Sequence, residues 1–434
     1  MDGEALQAGN RDGIPDSRFV KWLVLVGALG LGLRIALALT ISPVLLYDSL
    51  EYHQSAQHLV EEGRYYTDVI QAPTATMTGK FYSARAPGYV FFIAAVYRLF
   101  GVNDRAVSLV QAVLDFCSGI FVFLIARNWL KPKHSFWAFF GHQILVVYVP
   151  MLMSEAFFMF LFLFSLWVLL GPRSERWLWS VLIGLAWGLI ILTKPEKIIF
   201  VPVFAGYLAW KNISRAPAAK ALVWLAIVFM TIAPWLGREY QVHGRFVWMT
   251  TRGGMTFFDG SYLPIAKRQV LVLGNKLGLD EAGMDRLFFK VSFDYLKKHP
   301  GHYFRTCFKR LRVLLDLKTY NGLDRFFLSP LLEEGGSFRI ALAFASYYLF
   351  LVSRLVMVLG LAGAILCRQR YRELFLLYAI PLTIVLFHFA LFLGKPRYLV
   401  PAYPCLCVFF ALGMEWLENK GWRADPEATT PRMK

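Results

Sequence analysis

Between Trp22 and Ser42 the chain runs for the thickness of a bilayer with a single charged side chain, Arg34. A helix of about 20 such residues rises through the roughly 30 Å hydrocarbon core of a membrane, and every backbone group in it is satisfied internally. This run is too long for the apolar core of a signal peptide and has no small-residue cleavage site, so it is read as a retained first span. Nine further apolar segments follow, at about Ala106–Arg127, Ser135–Val149, Ser154–Leu170, Trp177–Leu192, Ile198–Trp210, Ala221–Leu236, Ala341–Leu366, Leu374–Leu393 and Leu399–Trp416. With 57% hydrophobic and 17% charged residues, the 434-residue chain carries more apolar surface than one soluble core could bury. The expected fold class is an all-α polytopic membrane protein with about ten transmembrane helices and interfacial helices in two outer loops.

The formal net charge of +17 raises the question of nucleic acid, but the basic residues fall in short clusters between apolar runs and form no basic domain. They orient the chain instead. Arg11, Arg18 and Lys21 precede the first span, and Arg127, Lys131 and Lys133 follow the second. Arg173 with Arg176, Lys211 with Arg215 and Lys220, the Arg368–Arg372 group and the C-terminal tail keep the same alternation. By the positive-inside bias both termini are cytoplasmic and both long inserts lie outside.

The expected organisation is a tail over 1–21, an N-terminal transmembrane module over 22–236 with a first outer loop at 43–105, a second outer insert at 237–340, C-terminal helices over 341–417 and a cytoplasmic tail over 418–434. Pro87–Phe100 is too short to span upright and is assigned to an interfacial or re-entrant helix. The Gly-rich run GRFVWMTTRGGMTFFDGSYLP in the second insert reads as strand or loop. The part that follows, with apolar and basic residues at helical spacing, reads as helices on the membrane surface.

The five cysteines lack disulfide or zinc spacing and read as packing residues. Arg34 and Asp115 lie near the middles of the first two spans, where a charge is costly unless paired, and mutual pairing is the economical expectation. The sequon Asn212-Ile-Ser214 falls in a predicted cytoplasmic loop and should be unused.

The topology gathers Asp48, Glu51, Tyr52, Arg85, Glu155, Lys194, Glu196, Lys197, Arg238, Lys395, Arg397 and Tyr398 at one membrane face. A single Lys or Arg at a helix end can simply snorkel to the interface. The set asks for more, because Lys194 and Lys395 each precede a proline in a tight outer loop. Cations beside a carboxylate suit chemistry with a phosphate leaving group: the carboxylate deprotonates a nucleophile and the cations receive the departing charge.

The ordered motifs resemble the membrane-embedded glycosyltransferases of the C superfamily, in particular family-39-like bacterial members related to protein O-mannosyltransferases and to the lipid A aminoarabinose transferase. The motifs are Asp48 with Tyr52, Arg85-Ala-Pro-Gly-Tyr89, Ser154-Glu155, Thr193-Lys194-Pro195-Glu196, Ala233-Pro234-Trp235 with Arg238, His299-Pro300, and Pro396-Arg397-Tyr398 with Pro401 and Pro404. The resemblance implies a hexosyl or pentosyl transferase that moves a sugar from a polyprenyl-phosphate donor to a glycan, lipid or protein acceptor. It would work with inversion on the outer face of the inner membrane of the cell envelope.

In those relatives the acid of the first outer loop is the base, which carries over to Asp48. Some of them have an adjacent Asp-Glu pair, whereas here Ser49 follows Asp48 and the next acid is Glu51. Lys194, Arg238, Lys395 and Arg397 are expected to hold the donor phosphate, and Glu51, Tyr52, Arg85, Glu155 and Tyr398 to contact substrate. No nucleotide or redox cofactor is implied, no metal ligand is assigned, and a divalent metal is compatible but not demanded. The competing class is a transporter or flippase for lipid-linked sugars. Such proteins commonly show two related halves and helices broken near mid-bilayer, while here the acids and prolines cluster at one edge.

Overall fold

A computed structural model describes residues 17–419 apart from 42, 44, 73–74, 144–147, 172, 174–175, 211–216 and 316–335. The sequon at 212–214 lies outside the described residues. Each of the ten segments expected to span contains a helix. These are α1 (Ser17–Thr40), α4 (Asp104–Ala126), α5 (Pro132–Gln143), α6 (Glu155–Leu170), α7 (Trp177–Thr193), α8 (Val201–Trp210), α9 (Pro217–His243), α14 (Ser337–Leu366), α15 (Phe375–Ala390) and α16 (Tyr403–Glu418). Four helical stretches among the described residues, Phe19–Thr40, Asp104–Ala126, Ala219–His243 and Pro396–Glu418, are long and apolar enough to cross a membrane.

The first three of these helices are tied together by the charge that the first one buries. Arg34 is fully buried and its Nε donates to Asp115 Oδ2 at 2.7 Å, as its expected pairing requires. Its Nη1 also donates to Gly30 O, Gln143 O and Gln143 Oε1, so α1, α4 and α5 share one polar node. This satisfies a group that would otherwise cost several kcal/mol at that depth, on the order set by membrane-insertion scales. All five cysteines are free, and all but Cys117 are buried.

The segment 43–105, expected as the first outer loop, contains α2 (Asp48–Glu61), a hairpin of β1 (Thr67–Ala72) and β2 (Ala75–Phe81), and α3 (Pro87–Phe100). The hairpin is antiparallel, with Val69 opposite Thr78 and a bulge between Thr67 and Val69. Its β-branched content, Thr67, Val69, Ile70, Thr76 and Thr78, carries the signal that the sequence reading passed over. Pro87 sits at the first position of α3, where its missing N–H costs nothing. A Cβ on Gly88 would meet Thr193 Oγ1 at 2.5 Å and backbone of Leu192 and Thr193 at 2.9 Å, so glycine lets α3 lie against the end of α7.

The second insert folds as α10 (Gly253–Ser261), α11 (Lys267–Lys276), α12 (Glu281–Lys298) and α13 (Pro300–Leu314). They enclose a small core of Met255, Phe258, Val270, Leu271, Met284 and Phe288. The expectation of strand or loop in the Gly-rich run holds over 244–252, which is loop, and is corrected from Gly253 on, where Gly253 and Gly254 open a helix. The reason is packing: a Cβ on Gly254 would come to 2.0 Å from Asp285 O, and the Gly254 amide donates to Asp285 Oδ1 at 2.6 Å. Buried Arg310 of α13 donates to Gly260 O and Ala390 O, and the Tyr303 hydroxyl also donates to Ala390 O. Cationic and hydroxyl donors on carbonyls at the end of α15 are favourable with its dipole.

Candidate active site

Asp48 is the first residue of α2, preceded by Tyr47, whose φ of 51 is a rare conformation for a residue with a side chain. Its carboxylate does not cap α2. Oδ1 accepts from Arg85 Nη2 at 2.6 Å and Oδ2 accepts from Arg397 Nη2 at 2.9 Å. Burial would raise the Asp48 carboxyl, but Arg85, then Arg397, Lys395 and Arg252, outweigh it and hold the group well below the usual carboxylate range. A carboxylate has about four lone-pair sites, so two guanidinium contacts leave room for a hydroxyl.

Arg85 also donates from Nε to Glu51 Oε2 at 2.6 Å, and its guanidinium lies 5.3 Å from the centre of the Tyr52 ring. The opposite wall comes from two helix ends stopped by proline. Lys194 follows α7 and donates to Glu155 Oε1, at the first residue of α6, at 3.1 Å. Lys395 precedes the 3-10 turn Pro396–Ala402, which presents Arg397 and Tyr398. The Tyr398 ring is stacked on His388 of α15 at 4.7 Å, which fixes the turn against that helix. Burial, followed by the like charge of Arg397, pushes Lys395 down to about 8, against the opposing pull of Asp48 and Asp259.

These groups line one cavity of about 1060 Å³, large for a small-molecule site and roomy enough for a headgroup and an acceptor together. Its polar part holds Asp48, Arg85, Glu155, Lys194, Lys395 and Arg397. One apolar wall is Ile198, Ile199, Phe387, Leu391 and Phe392, from the turn after α7 and the end of α15 with the residues that follow it, and another is Trp248, Met255, Phe257, Phe289 and Phe293 from the second insert. Among the described residues no group of three or more His, Cys, Asp or Glu is placed to hold a metal. Asp48 and Glu51 already carry guanidinium groups and Glu155 carries Lys194, a donor set arranged for cationic side chains.

Residues 84–237 match the family model described as dolichyl-phosphate-mannose-protein mannosyltransferase. No curated protein matches the chain in sequence. Among solved structures, the oligosaccharyltransferase AglB of Archaeoglobus fulgidus, in complex with an inhibitory peptide and a dolichol-phosphate, superposes with a TM-score of 0.54 at 15% identity, over 96% of this chain and 53% of that one. The chain shares the fold of the matched part of that archaeal enzyme. The same archaeal enzyme in complex with Zn and sulfate matches with a TM-score of 0.51 at 15% identity, over 92% of this chain and 49% of that one. ArnT of Cupriavidus metallidurans bound to undecaprenyl phosphate matches with a TM-score of 0.39 at 13% identity, over 92% of this chain and 78% of that one. The chain thus spans about half the length of the oligosaccharyltransferase structures that it resembles.

Of the ten residues given site roles from the sequence, eight lie on the cavity wall: Asp48, Tyr52, Arg85, Glu155, Lys194, Lys395, Arg397 and Tyr398. Two do not. Glu51 is fully buried behind Arg85. Arg238, expected at the phosphate, is turned away from the cavity and donates to Tyr82 O, Ser83 Oγ, Glu239 Oε1 and Tyr65 O. Sequence reasoning missed Arg252, which lines the cavity and brings Nη2 to 3.9 Å from Glu51 Oε1, and the pair Lys267–Asp259 at 2.7 Å. Arg252 sits in a Thr-Thr-Arg-Gly-Gly run, within the stretch that the sequence reads as strand or loop, and immediately precedes α10.

Proposed function

We propose that this protein is a glycosyltransferase that moves a hexose or pentose from a polyprenyl-phosphate donor to an acceptor hydroxyl at the outer face of the cytoplasmic membrane. The observation that carries the reading is the convergence of Asp48 with Lys194, Lys395 and Arg397 on one cavity that also has an apolar wall of Ile198, Ile199, Phe387, Leu391 and Phe392. A phosphate on a prenyl chain asks for that combination: cations for the headgroup, aliphatic and aromatic surface for the tail. The dolichol-phosphate bound to the archaeal oligosaccharyltransferase of the same fold supports a phosphate of this class.

In this reading the acceptor hydroxyl gives its proton to Asp48 while its oxygen attacks the anomeric carbon from the face opposite the phosphate. The carbon–oxygen bond to phosphate breaks in the same step and the configuration inverts. Lys194, Lys395 and Arg397 receive the charge that develops on the departing polyprenyl phosphate. Arg85 keeps Asp48 ionised and oriented. The domain boundaries at 237 and 340 then separate a transmembrane module that supplies base and cations from an outer insert that covers the cavity.

The test begins with a strain lacking the protein, in which a lipid-linked sugar should accumulate and one surface glycan should disappear. That lipid extract is then given to the purified protein in detergent, where no compartments exist. Release of polyprenyl phosphate is expected from a transferase supplied with acceptor extract. An unchanged donor pool under those conditions would overturn the enzymatic reading in favour of a transporter.

A further inference from the structure

Arg85 hangs from a segment, Tyr82–Ala86, that is neither helix nor strand, yet it must hold a guanidinium against Asp48 and Glu51 at 2.6 Å. Irregular backbone keeps a fixed shape only where its polar groups have partners. Here they come from elsewhere in the chain. The Tyr82 amide donates to Glu281 Oε2 at 2.9 Å and the Ser83 amide donates to Glu281 Oε1 at 3.1 Å. Ser83 O accepts from the Thr251 amide at 2.9 Å, and the single proton of the Thr251 hydroxyl is shared between Ser83 O, 3.1 Å away, and the Glu281 carboxylate. On the other side Arg238 donates to Tyr82 O, and Ser83 Oγ is hydrogen-bonded to His243 Nε2 at 2.8 Å.

The segment is therefore gripped between the end of α9 and the second insert, two residues before Arg85. Glu281 is the piece of this grip with the least freedom. It is the first residue of α12, so its backbone is fixed by a helix packed on the small core of the insert. Its two oxygens meet two consecutive amides, an arrangement that only a carboxylate satisfies, because an amide side chain would turn a donor toward one of them.

We propose that Glu281 is a positioning residue that, together with Thr251, sets the place of Arg85 and through it the environment of Asp48. The second insert would then be more than a cover for the cavity, since its helix α12 would determine whether the base is correctly held. This rests on the reading of Asp48 as the base, and the experiment separates the two ideas.

The full chain in detergent is compared with Glu281→Gln, with Thr251→Val, and with Asp48→Asn as a reference. Hydrogen exchange at the Tyr82 and Ser83 amides reads the grip without any turnover. Exchange at least tenfold faster in Glu281→Gln, and a smaller increase in Thr251→Val, are expected, with exchange in α4 and α7 unchanged. The acid limb of the pH–rate profile reads Asp48, which is faced by Arg85 from its own outer loop, by Arg397 and Lys395 from the turn after α15, and by Arg252 from the insert.

Loosening Arg85 should move that limb to higher pH and lower turnover by about tenfold or more, while a variant that only weakened the fold would lower the melting temperature and leave the limb in place. Unchanged exchange at residues 82–83 overturns the proposal. So does fast exchange with wild-type turnover and an unmoved limb. Transfer retained by Asp48→Asn would instead remove the base, with the exchange result still judging the grip.

Discussion

In the proposed reaction Asp48 is the residue on which the chemistry turns, and two kinds of change at the cavity separate its proposed work from that of the cations. Asp48→Asn keeps the size of the side chain and removes the basic carboxylate; general-base catalysis is typically worth about a hundredfold to ten-thousandfold, so transfer should fall by that much with donor binding retained. Lys194→Ala and Arg397→Ala each remove a charge-assisted contact to the leaving phosphate, and each should cost about 2 to 4 kcal/mol of transition-state stabilisation, measured as kcat/KM on expressed, folded protein. Lys395 makes a prediction in pH. With its value pushed down to about 8, it holds its proton at neutral pH and loses it as the pH rises through that value, so turnover should show a basic limb there. Lys395→Arg keeps its charge across the range, and the limb should vanish; a limb unchanged in that variant would assign it to another group.

At the scale of elements, the way α3 meets α7 decides how far Arg85 stands from Lys194. Gly88→Ala should therefore be expensive for its size: the added carbon meets backbone at 2.9 Å, and overpacking of this kind costs roughly 1 to 3 kcal/mol. Thr193→Ala, which removes the closest atom at 2.5 Å, should restore part of the lost thermal stability and activity. The elements that could be read from the chain are those whose signal is local. Apolar runs bounded by charge gave the helices, and Lys194-Pro195 and Lys395-Pro396 gave the two tight turns that carry cations into the cavity.

What could not be read is set by partners distant in sequence. Arg238 has the composition of a phosphate ligand, yet the carbonyls of Tyr65 and Tyr82, more than 150 residues away, take its guanidinium. The Gly253-Gly254 pair looks like a break until α12 arrives against it, when glycine becomes the residue that permits a helix there. The hairpin at Thr67–Phe81 was masked by its setting, a short polar stretch among helices.

The whole molecule adds a direction that no single element carries. Arg34–Asp115 ties α1 to α4 deep in the bundle, and Lys133 and His134 pair with Glu418 where α5 meets the end of α16. Asp48, Lys194 and Arg397 gather at the opposite ends of their helices. The proposed base, fed by a membrane-held donor and a water-borne acceptor, has to open to one compartment, and by the positive-inside bias we propose the outer one. The assignment is checked with single cysteines at exposed positions on the two sides, Arg64 beyond α2 and Lys131 between α4 and α5. In cells, Arg64→Cys should react with a membrane-impermeant maleimide, while Lys131→Cys should react only after permeabilisation. The native cysteines, four of them buried, are replaced by alanine or serine in the parent chain to keep the background low. Labelling of Lys131→Cys in intact cells together with protection of Arg64→Cys would turn the molecule over and place the cavity, with Asp48 and its cations, at the cytoplasmic face.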